Sequence, residues 1–186
     1  MIKIIKKYIV SVLLLIDRIM VKSMGCISIP GSNYKLLNIC YIRYKGDILE
    51  FEDGTVIQKG DLVGEIHLSN IGISCGKIGD TIITSELQLL GLIRTELKLL
   101  SKLIQSNQIA PHVLAYCSIS LLGAGAKRLG FRIIDIPQTF EIKCMALWMS
   151  ILRKLLAPSF VKQSKKHTKH KIVYEIWITE TKLLTL

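Results

Sequence analysis

The segment of residues 41–70 constrains the fold most, because it combines strand alternation with two tight-turn signals. The pair Asp53-Gly54 stands between apolar residues, and this arrangement predicts a β-hairpin whose turn requires positive φ. Lys59-Gly60-Asp61 predicts a second turn, and a strand from Leu62 to Leu68 follows it. The sequence therefore predicts an antiparallel meander in the first third of the chain.

Glu65 and His67 are two residues apart in the last of these strands, so their side chains point to the same face. Histidine is the residue used most for proton transfer near neutral pH, and a hydrogen-bonded carboxylate raises its pKa. One hypothesis is an enzyme in which His67 is the general base and Glu65 or Asn70 orients it. The alternative is a strand histidine that satisfies a neighbouring backbone group. Neither an acyltransferase spacing nor an adjacent nucleophile favours the enzyme.

Helical spacing and strand patterns continue through the second half of the chain. Helices are predicted over residues 85–106, 120–129 and 139–156. Further strands are predicted over residues 35–44, 112–118, 131–136 and 172–179. Ser85 and Gln88 match a capping box, and Gly130 suits the position just after a helix. The sequence predicts a single compact α+β domain in which helices cover an antiparallel sheet.

Residues 1–24 predict an amphipathic helix that precedes the domain of residues 25–186. The uninterrupted apolar run, Ile9 to Ile16, is too short to span a bilayer. One hypothesis is that the helix rests on an anionic membrane surface. The other is that it packs on its own domain, which Leu14 and Leu15 favour because they broaden the apolar face.

Composition indicates an ordered basic protein. The 186 residues are 50% hydrophobic and 6% aromatic, and the formal net charge is +11. This excess favours an anionic partner, for which Arg43, Lys127 and Arg128 are the candidate side chains. Nucleic acid is the third choice, because few aromatic residues are present to stack on bases.

Cysteine usage argues against a disulfide framework and against a zinc site. The five cysteines are odd in number and widely spaced, and no C-x-x-C pair occurs. The pair His167 and His170 stands in a basic run, but no adjacent carboxylate or cysteine completes a metal site. The sequence therefore predicts no metal or cofactor and suits a reducing cytosol.

Several motifs along the chain resemble those of the bacterial YkoP-like domain family. They are Arg43, Tyr44, Gly46, Glu52-Asp53-Gly54-Thr55, Gly60-Asp61, Glu65-Ile66-His67-Leu68, Asn70, Lys127-Arg128-Leu129-Gly130-Phe131 and Trp177-Ile178-Thr179. Members occur as small free-standing proteins and as domains attached to polysaccharide deacetylases. The resemblance implies work on envelope polysaccharide or its lipid-linked precursors, without the deacetylase's own catalysis.

Three functions follow from these observations. The first is an accessory or ligand-binding domain for an anionic envelope precursor, cytoplasmic or peripheral at the inner membrane face. A membrane surface and a polysaccharide-modifying enzyme are then the expected partners. The second is a small enzyme that uses His67, with Arg43 or Arg128 holding an anionic group. The third is a basic nucleic-acid-binding protein.

Overall fold

A computed structural model describes residues 2–70, 77–78, 81–82, 85–109, 111–121, 123–156 and 172–186. Within these residues, the helices are α1 (Ile2–Ser23), α2 (Glu86–Gln105), α3 (Gly123–Arg128), α4 (Phe140–Leu156) and α5 (Glu180–Leu183). The strands are β1 (Ile27–Ser28), β2 (Leu37–Arg43), β3 (Leu49–Glu50), β4 (Val56–Ile57), β5 (Leu62–Leu68), β6 (Lys77–Ile78), β7 (Thr81–Ile82), β8 (Ala115–Ser120), β9 (Arg132–Asp135) and β10 (Tyr174–Thr179). The predicted α+β class is confirmed. The basic run of residues 162–171 lies outside the described residues.

One six-stranded sheet, in the order β1-β2-β5-β8-β10-β9, forms the centre of the domain. Its neighbouring strands are antiparallel except β5 and β8, which are parallel. A parallel pair needs a long crossover connection, and the chain between these two strands contains α2. The sheet is therefore mixed, although most of its pairs are antiparallel as predicted.

The predicted Asp-Gly hairpin forms, but outside the main sheet. β3 and β4 pair with each other as a separate two-stranded sheet, with Gly54 at φ +82° in the turn. The Tyr44 backbone N–H donates to the Asp61 carbonyl at 2.8 Å, and the Gly60 N–H donates to the Tyr44 carbonyl at 2.9 Å. These bonds bring β2 directly beside β5, so the hairpin is an excursion between two adjacent strands.

The helices cover one face of the main sheet. Apolar residues of α2, including Leu97 and Leu100, pack there against Ile39, Ile66 and Tyr116. The Ser85 side chain caps α2 by accepting from the Gln88 N–H at 3.3 Å, as the capping pattern predicts. This face holds the larger part of the hydrophobic core.

The β3–β4 hairpin covers part of the opposite face. Beneath it lies a smaller core that includes Ile57, Val63, Ala115 and Trp177. The ring of Tyr44 meets the Trp177 indole edge-on, with centroids 5.5 Å apart. The rest of this face carries the half-buried polar side chains described below.

From Tyr8 onwards, where its side chains are described, the helix α1 packs on the domain through one of its faces. Leu13 is buried, and Val10 and Leu14 pack against the main core. A second apolar face is exposed to solvent, and it comprises Tyr8, Ile9, Val12, Leu15, Ile16, Ile19 and Met20. We call these seven residues the outward stripe. Among the described residues, no helix has the length and apolar character needed to cross a bilayer.

Candidate functional site

Glu65 and His67 project together from β5, as the alternation of the strand predicts. The Glu65 Oε1 and His67 Nε2 atoms are 3.4 Å apart, and the two side chains are 22% and 27% exposed. Glu65 lies directly opposite Cys40 of β2, and His67 lies opposite Asn38. The two side chains are therefore partly exposed, at ion-pair distance, and held by a central strand, while the His67 Nε2 itself is buried.

A thiol and a second carboxylate lie on the same face. Cys117 of β8 is opposite Glu65, and Trp177 of β10 is opposite Cys117. Burial raises the pKa of Glu175, the neighbouring Trp177 indole lowers it in part, and the negative charge of Glu65 raises it further. The strand pairing thus assembles two carboxylates and an imidazole from segments more than a hundred residues apart.

Cys117 does not have the environment of a nucleophile. Burial raises the pKa of its thiol well above the ordinary value of 9.0, and the nearby carboxylates Glu65 and Glu175 raise it further. Because the thiolate is the reactive form, a thiol held protonated is inert. The chemistry available here is proton transfer by Glu65, His67 and Glu175.

Asn70 contacts a different partner from the one predicted. Its Nδ2 donates to the Asp17 Oδ1 of α1 at 2.8 Å. The amide therefore ties the end of β5 to the first helix. Of the two candidates for orienting His67, it is Glu65 that lies within ion-pair distance of the imidazole.

Cys26 and Cys40 form a disulfide, with Cα atoms 4.2 Å apart. The prediction against disulfides is wrong for this pair. The physical reason is the register of β1 and β2, in which Ile27 lies opposite Ile39, so that the preceding Cys26 falls opposite Cys40. Two strand residues in that relation are close enough to be linked.

The three predicted anion-binding residues have different surroundings. The Arg43 guanidinium donates through Nη1 to the Gly60 carbonyl at 3.0 Å, which fixes it to the turn after the hairpin. Arg128 is exposed, and its backbone carbonyl accepts a bond from Arg94. Only Lys127 of the three lines the cleft beside β9 and β10.

This cleft is an open space of about 770 Å³ between the hairpin and the end of the sheet. Its lining combines cationic, hydroxyl and aromatic groups, among them Lys127, Arg132, Lys182, Thr181, Thr185, Phe51 and Trp177, with Glu52 and Asp53 as the acidic members. Arg132 donates to the Glu50 carbonyl, and its guanidinium carbon is 5.4 Å from the Phe51 ring centroid. Among the described residues, the ammonium groups of Lys127 and Lys182 form no ion pair, which leaves them available to a ligand.

Thr179 joins three parts of the structure at the cleft. Its hydroxyl donates to the Asp53 carboxylate in the hairpin turn, and it accepts from the Lys182 N–H at the start of α5. Partial burial raises the pKa of Asp53, but the bonds from Thr179 and Thr55 outweigh it and hold the pKa below the ordinary value of 3.8. This link fixes the hairpin over the sheet and shapes the cleft.

The sequence matches the family profile of the YkoP domain over residues 6–186. The chain belongs to the YkoP domain family. The match begins within α1, so the profile of the YkoP domain includes most of that helix. No curated protein and no solved structure matches the chain significantly.

Several members of this YkoP domain's polar face and cleft could not be predicted from the sequence. Glu175 is expected on the same face as Trp177, but no local pattern shows that β10 will lie next to β8. No local pattern marks the disulfide, because the pairing of Cys26 with Cys40 depends on the register of β1 and β2.

Proposed function

We propose that this YkoP domain is a non-catalytic binding domain that rests on the inner face of a bacterial membrane. There it holds an anionic precursor of the cell envelope for a polysaccharide-modifying enzyme. The outward stripe of α1 is the observation that carries the proposal. Its most exposed residues, Tyr8, Leu15 and Ile19, are 70%, 56% and 58% exposed.

The stripe has the form of a membrane-surface helix. Its members recur every three or four residues, so they share one side of α1 over about three turns. Arg18 and Lys22 are exposed and flank it on the polar side. An apolar face bordered by cations favours the interface of an anionic bilayer, and the net charge of +11 adds long-range attraction.

A second helix in contact with α1 also exposes apolar residues. α4 contacts α1 and exposes Phe140, Leu147, Trp148 and Ile151, which follow helical spacing. Phenylalanine and tryptophan are favoured at the boundary between headgroups and acyl chains. Two adjacent helices with exposed apolar residues give a broader contact with a membrane than one helix alone.

The cleft supports the ligand class. Lys127 and Lys182 suit a phosphate or carboxylate, and the hydroxyls of Thr181 and Thr185 suit the hydrogen-bonding groups of a sugar. The partly buried Phe51 ring adds apolar surface to the lining of the cleft. Lipid-linked sugar phosphates combine these groups in one molecule.

Cell fractionation and a binding titration test the two halves of the proposal. The protein should sediment with membranes at low salt and be released in part by high salt. A polyprenyl phosphate in detergent micelles should bind the wild type and bind the Lys127→Ala, Lys182→Ala double variant at least about tenfold more weakly. The matched control is Lys98→Ala, which changes an exposed lysine of α2 that does not line the cleft. Equal binding by all three proteins would exclude the cleft as the binding site of the polyprenyl phosphate.

The contact between Glu65 and His67 favours a second candidate, an enzyme with His67 as general base. It predicts that incubation with a phosphorylated envelope sugar gives a product visible by mass spectrometry. His67→Gln should abolish that product, whereas Asn70→Ala should preserve it. Binding of the sugar phosphate without any product would reject this candidate.

A further inference from the structure

Cys26, Cys40 and His67 form a cluster on the half-buried face of the sheet. Two sulfur atoms and one imidazole nitrogen lie within 4.8 Å of one another. We propose that reduction of the Cys26–Cys40 disulfide turns this cluster into a zinc-binding site with these three residues as ligands. The inference is independent of the proposed membrane and precursor binding.

Adjacent paired strands hold the three ligands. Cys26 directly precedes β1, Cys40 is in β2 and His67 is in β5. In the pairing of β2 with β5, Asn38 faces His67 and Cys40 faces Glu65, so Cys40 and His67 are diagonal neighbours on one face. Ligands on paired strands are already ordered before metal binding, which lowers the entropic cost of forming the site.

The donor set selects the metal. Two thiolates and an imidazole suit Zn²⁺ in tetrahedral coordination, whereas Mg²⁺ and Ca²⁺ require oxygen ligands. The fourth position is then filled by water or by an additional ligand.

The site forms in two steps: the disulfide is first reduced, and Zn²⁺ then binds. A small-molecule dithiol donates two electrons and two protons, so the S–S bond breaks, two thiols form and the reductant becomes a disulfide. Zn²⁺ then binds both sulfurs and releases two protons to solvent. In the reducing cytosol the dithiol form is the expected one.

Glu65 fits the role of a positioning residue for His67. The His67 Nε2 is buried and has no hydrogen-bond partner within the described structure, and the Glu65 carboxylate is 3.4 Å from it. A ligating histidine commonly donates its other ring N–H to a carboxylate, which fixes the ring orientation. We expect His67 to bind the metal through one nitrogen and to turn the other towards Glu65.

The experiment uses the full chain, reduced with a phosphine and mixed with Zn²⁺ or with Co²⁺ as a spectroscopic probe. The expected result is about one metal per chain after gel filtration and a thiolate-to-cobalt charge-transfer band. Bound Zn²⁺ should also protect two cysteines from alkylation in the wild type, a readout that needs no variant. The oxidised protein should bind no metal at this site.

Variants locate the site. Cys26→Ser, Cys40→Ser and His67→Ala should each weaken metal binding by more than about a hundredfold, and Glu65→Gln by about ten- to a hundredfold. Cys117→Ser and Cys144→Ser remove the other cysteine thiols in the described structure and should bind as the wild type does. The double variant His167→Ala, His170→Ala should also retain the metal.

Three results would overturn the proposal. One is a reduced wild type that retains no zinc and whose alkylation is unchanged by the metal. Another is normal binding by His67→Ala. The last is loss of binding in the His167→Ala, His170→Ala variant while the cysteine variants bind normally.

Discussion

Glu96, on the buried side of α2, accepts a hydrogen bond from the Ser32 hydroxyl across 64 residues of sequence. Glu96 is only 1% exposed, so this bond lies in the interior of the domain. The Ser32 Oγ also accepts from the backbone N–H groups of Tyr34 and Lys35, at 3.1 and 2.7 Å. One hydroxyl therefore fixes the loop before β2 and satisfies a buried carboxylate.

Ser32→Ala should lower the free energy of unfolding by about 1–3 kcal/mol, because it removes a donor from the buried Glu96 carboxylate. The matched control is Ser28→Ala, since the Ser28 hydroxyl bonds the Asn38 Oδ1 at an exposed position. Urea unfolding followed by tryptophan fluorescence measures both variants. Equal shifts of the two urea midpoints would show that the buried Ser32–Glu96 bond contributes no more to stability than the exposed Ser28–Asn38 bond.

Gly64 permits the close packing of Tyr116 on β5. A Cβ at residue 64 would overlap the Tyr116 ring at Cδ1, and the Tyr116 ring is fully buried. Gly64→Ala should destabilise the fold by about 1–3 kcal/mol because the ring must move within a packed core. Thermal unfolding should show a lower Tm.

Gly91 of α2 is the matched control for Gly64. A Cβ at residue 91 meets no atom within 4 Å, and the residue is exposed. Gly91→Ala should stabilise the protein by about 0.5–1 kcal/mol, because alanine favours a helix interior over glycine. If Gly64→Ala raises Tm as Gly91→Ala does, Tyr116 does not pack as closely on Gly64 of β5 as we describe.

Glu175 should make stability fall as pH rises above the ordinary carboxyl pKa of 4.5. Burial raises its folded-state pKa, so between 4.5 and that raised value the folded state binds more protons than the unfolded state. The stabilisation is fully present below this window and is lost as pH passes through the folded-state pKa. Glu175→Gln should flatten this part of the profile and be more stable than the wild type above it.

Chemical denaturation at a series of pH values measures this effect. Glu52→Gln is the control, because Glu52 is exposed in the hairpin turn. If the stability of Glu175→Gln changes with pH as steeply as that of the wild type, the proton is taken up by another group.

Thr179→Val should both destabilise the protein and raise the pKa of Asp53 towards its ordinary value of 3.8. The variant removes the cap of α5 and the donor to the hairpin turn, which together cost about 1–3 kcal/mol. Thr179→Ser keeps the hydroxyl and should restore most of both properties. Carboxyl-carbon NMR titration gives the pKa, and an unchanged Asp53 value in Thr179→Val would contradict the link.

The elements of the fold were predictable where the signal is local. Leu62–Leu68 is the strand expected from its alternation, and the Ser85 cap and the positive φ of Gly130 follow from side-chain chemistry within a few residues. The order of strands was not predictable, because pairing between β5 and β8 depends on packing around α2 and leaves no local pattern.

The candidate site also has one part that could be predicted from local sequence and one part that could not. Glu65 and His67 could be placed together from the strand period alone. Cys117 and Glu175 join them only through the lateral order of β5, β8 and β10. The outward stripe shows a further limit, because periodicity reveals that α1 is apolar but not which side the domain covers. In the structure, Leu13 faces the core while Val12 and Ile16 face solvent.

Co-sedimentation with lipid vesicles tests the central claim most directly. The probe vesicles contain phosphatidylglycerol and phosphatidylethanolamine, and pure phosphatidylcholine vesicles serve as the neutral comparison. The wild type should sediment with the anionic vesicles, and Leu15→Ser, Ile19→Ser should bind them at least about tenfold more weakly, because two exposed apolar side chains are lost from the interface. Arg18→Gln, Lys22→Gln should also bind more weakly and depend less on salt.

The matched control changes two exposed leucines outside α1, Leu87→Ser and Leu114→Ser. Our account predicts that this control sediments with anionic vesicles as the wild type does, while the Leu15→Ser, Ile19→Ser variant stays in the supernatant. A wild type that remains in the supernatant, or a stripe variant that sediments as strongly as the wild type, would contradict it.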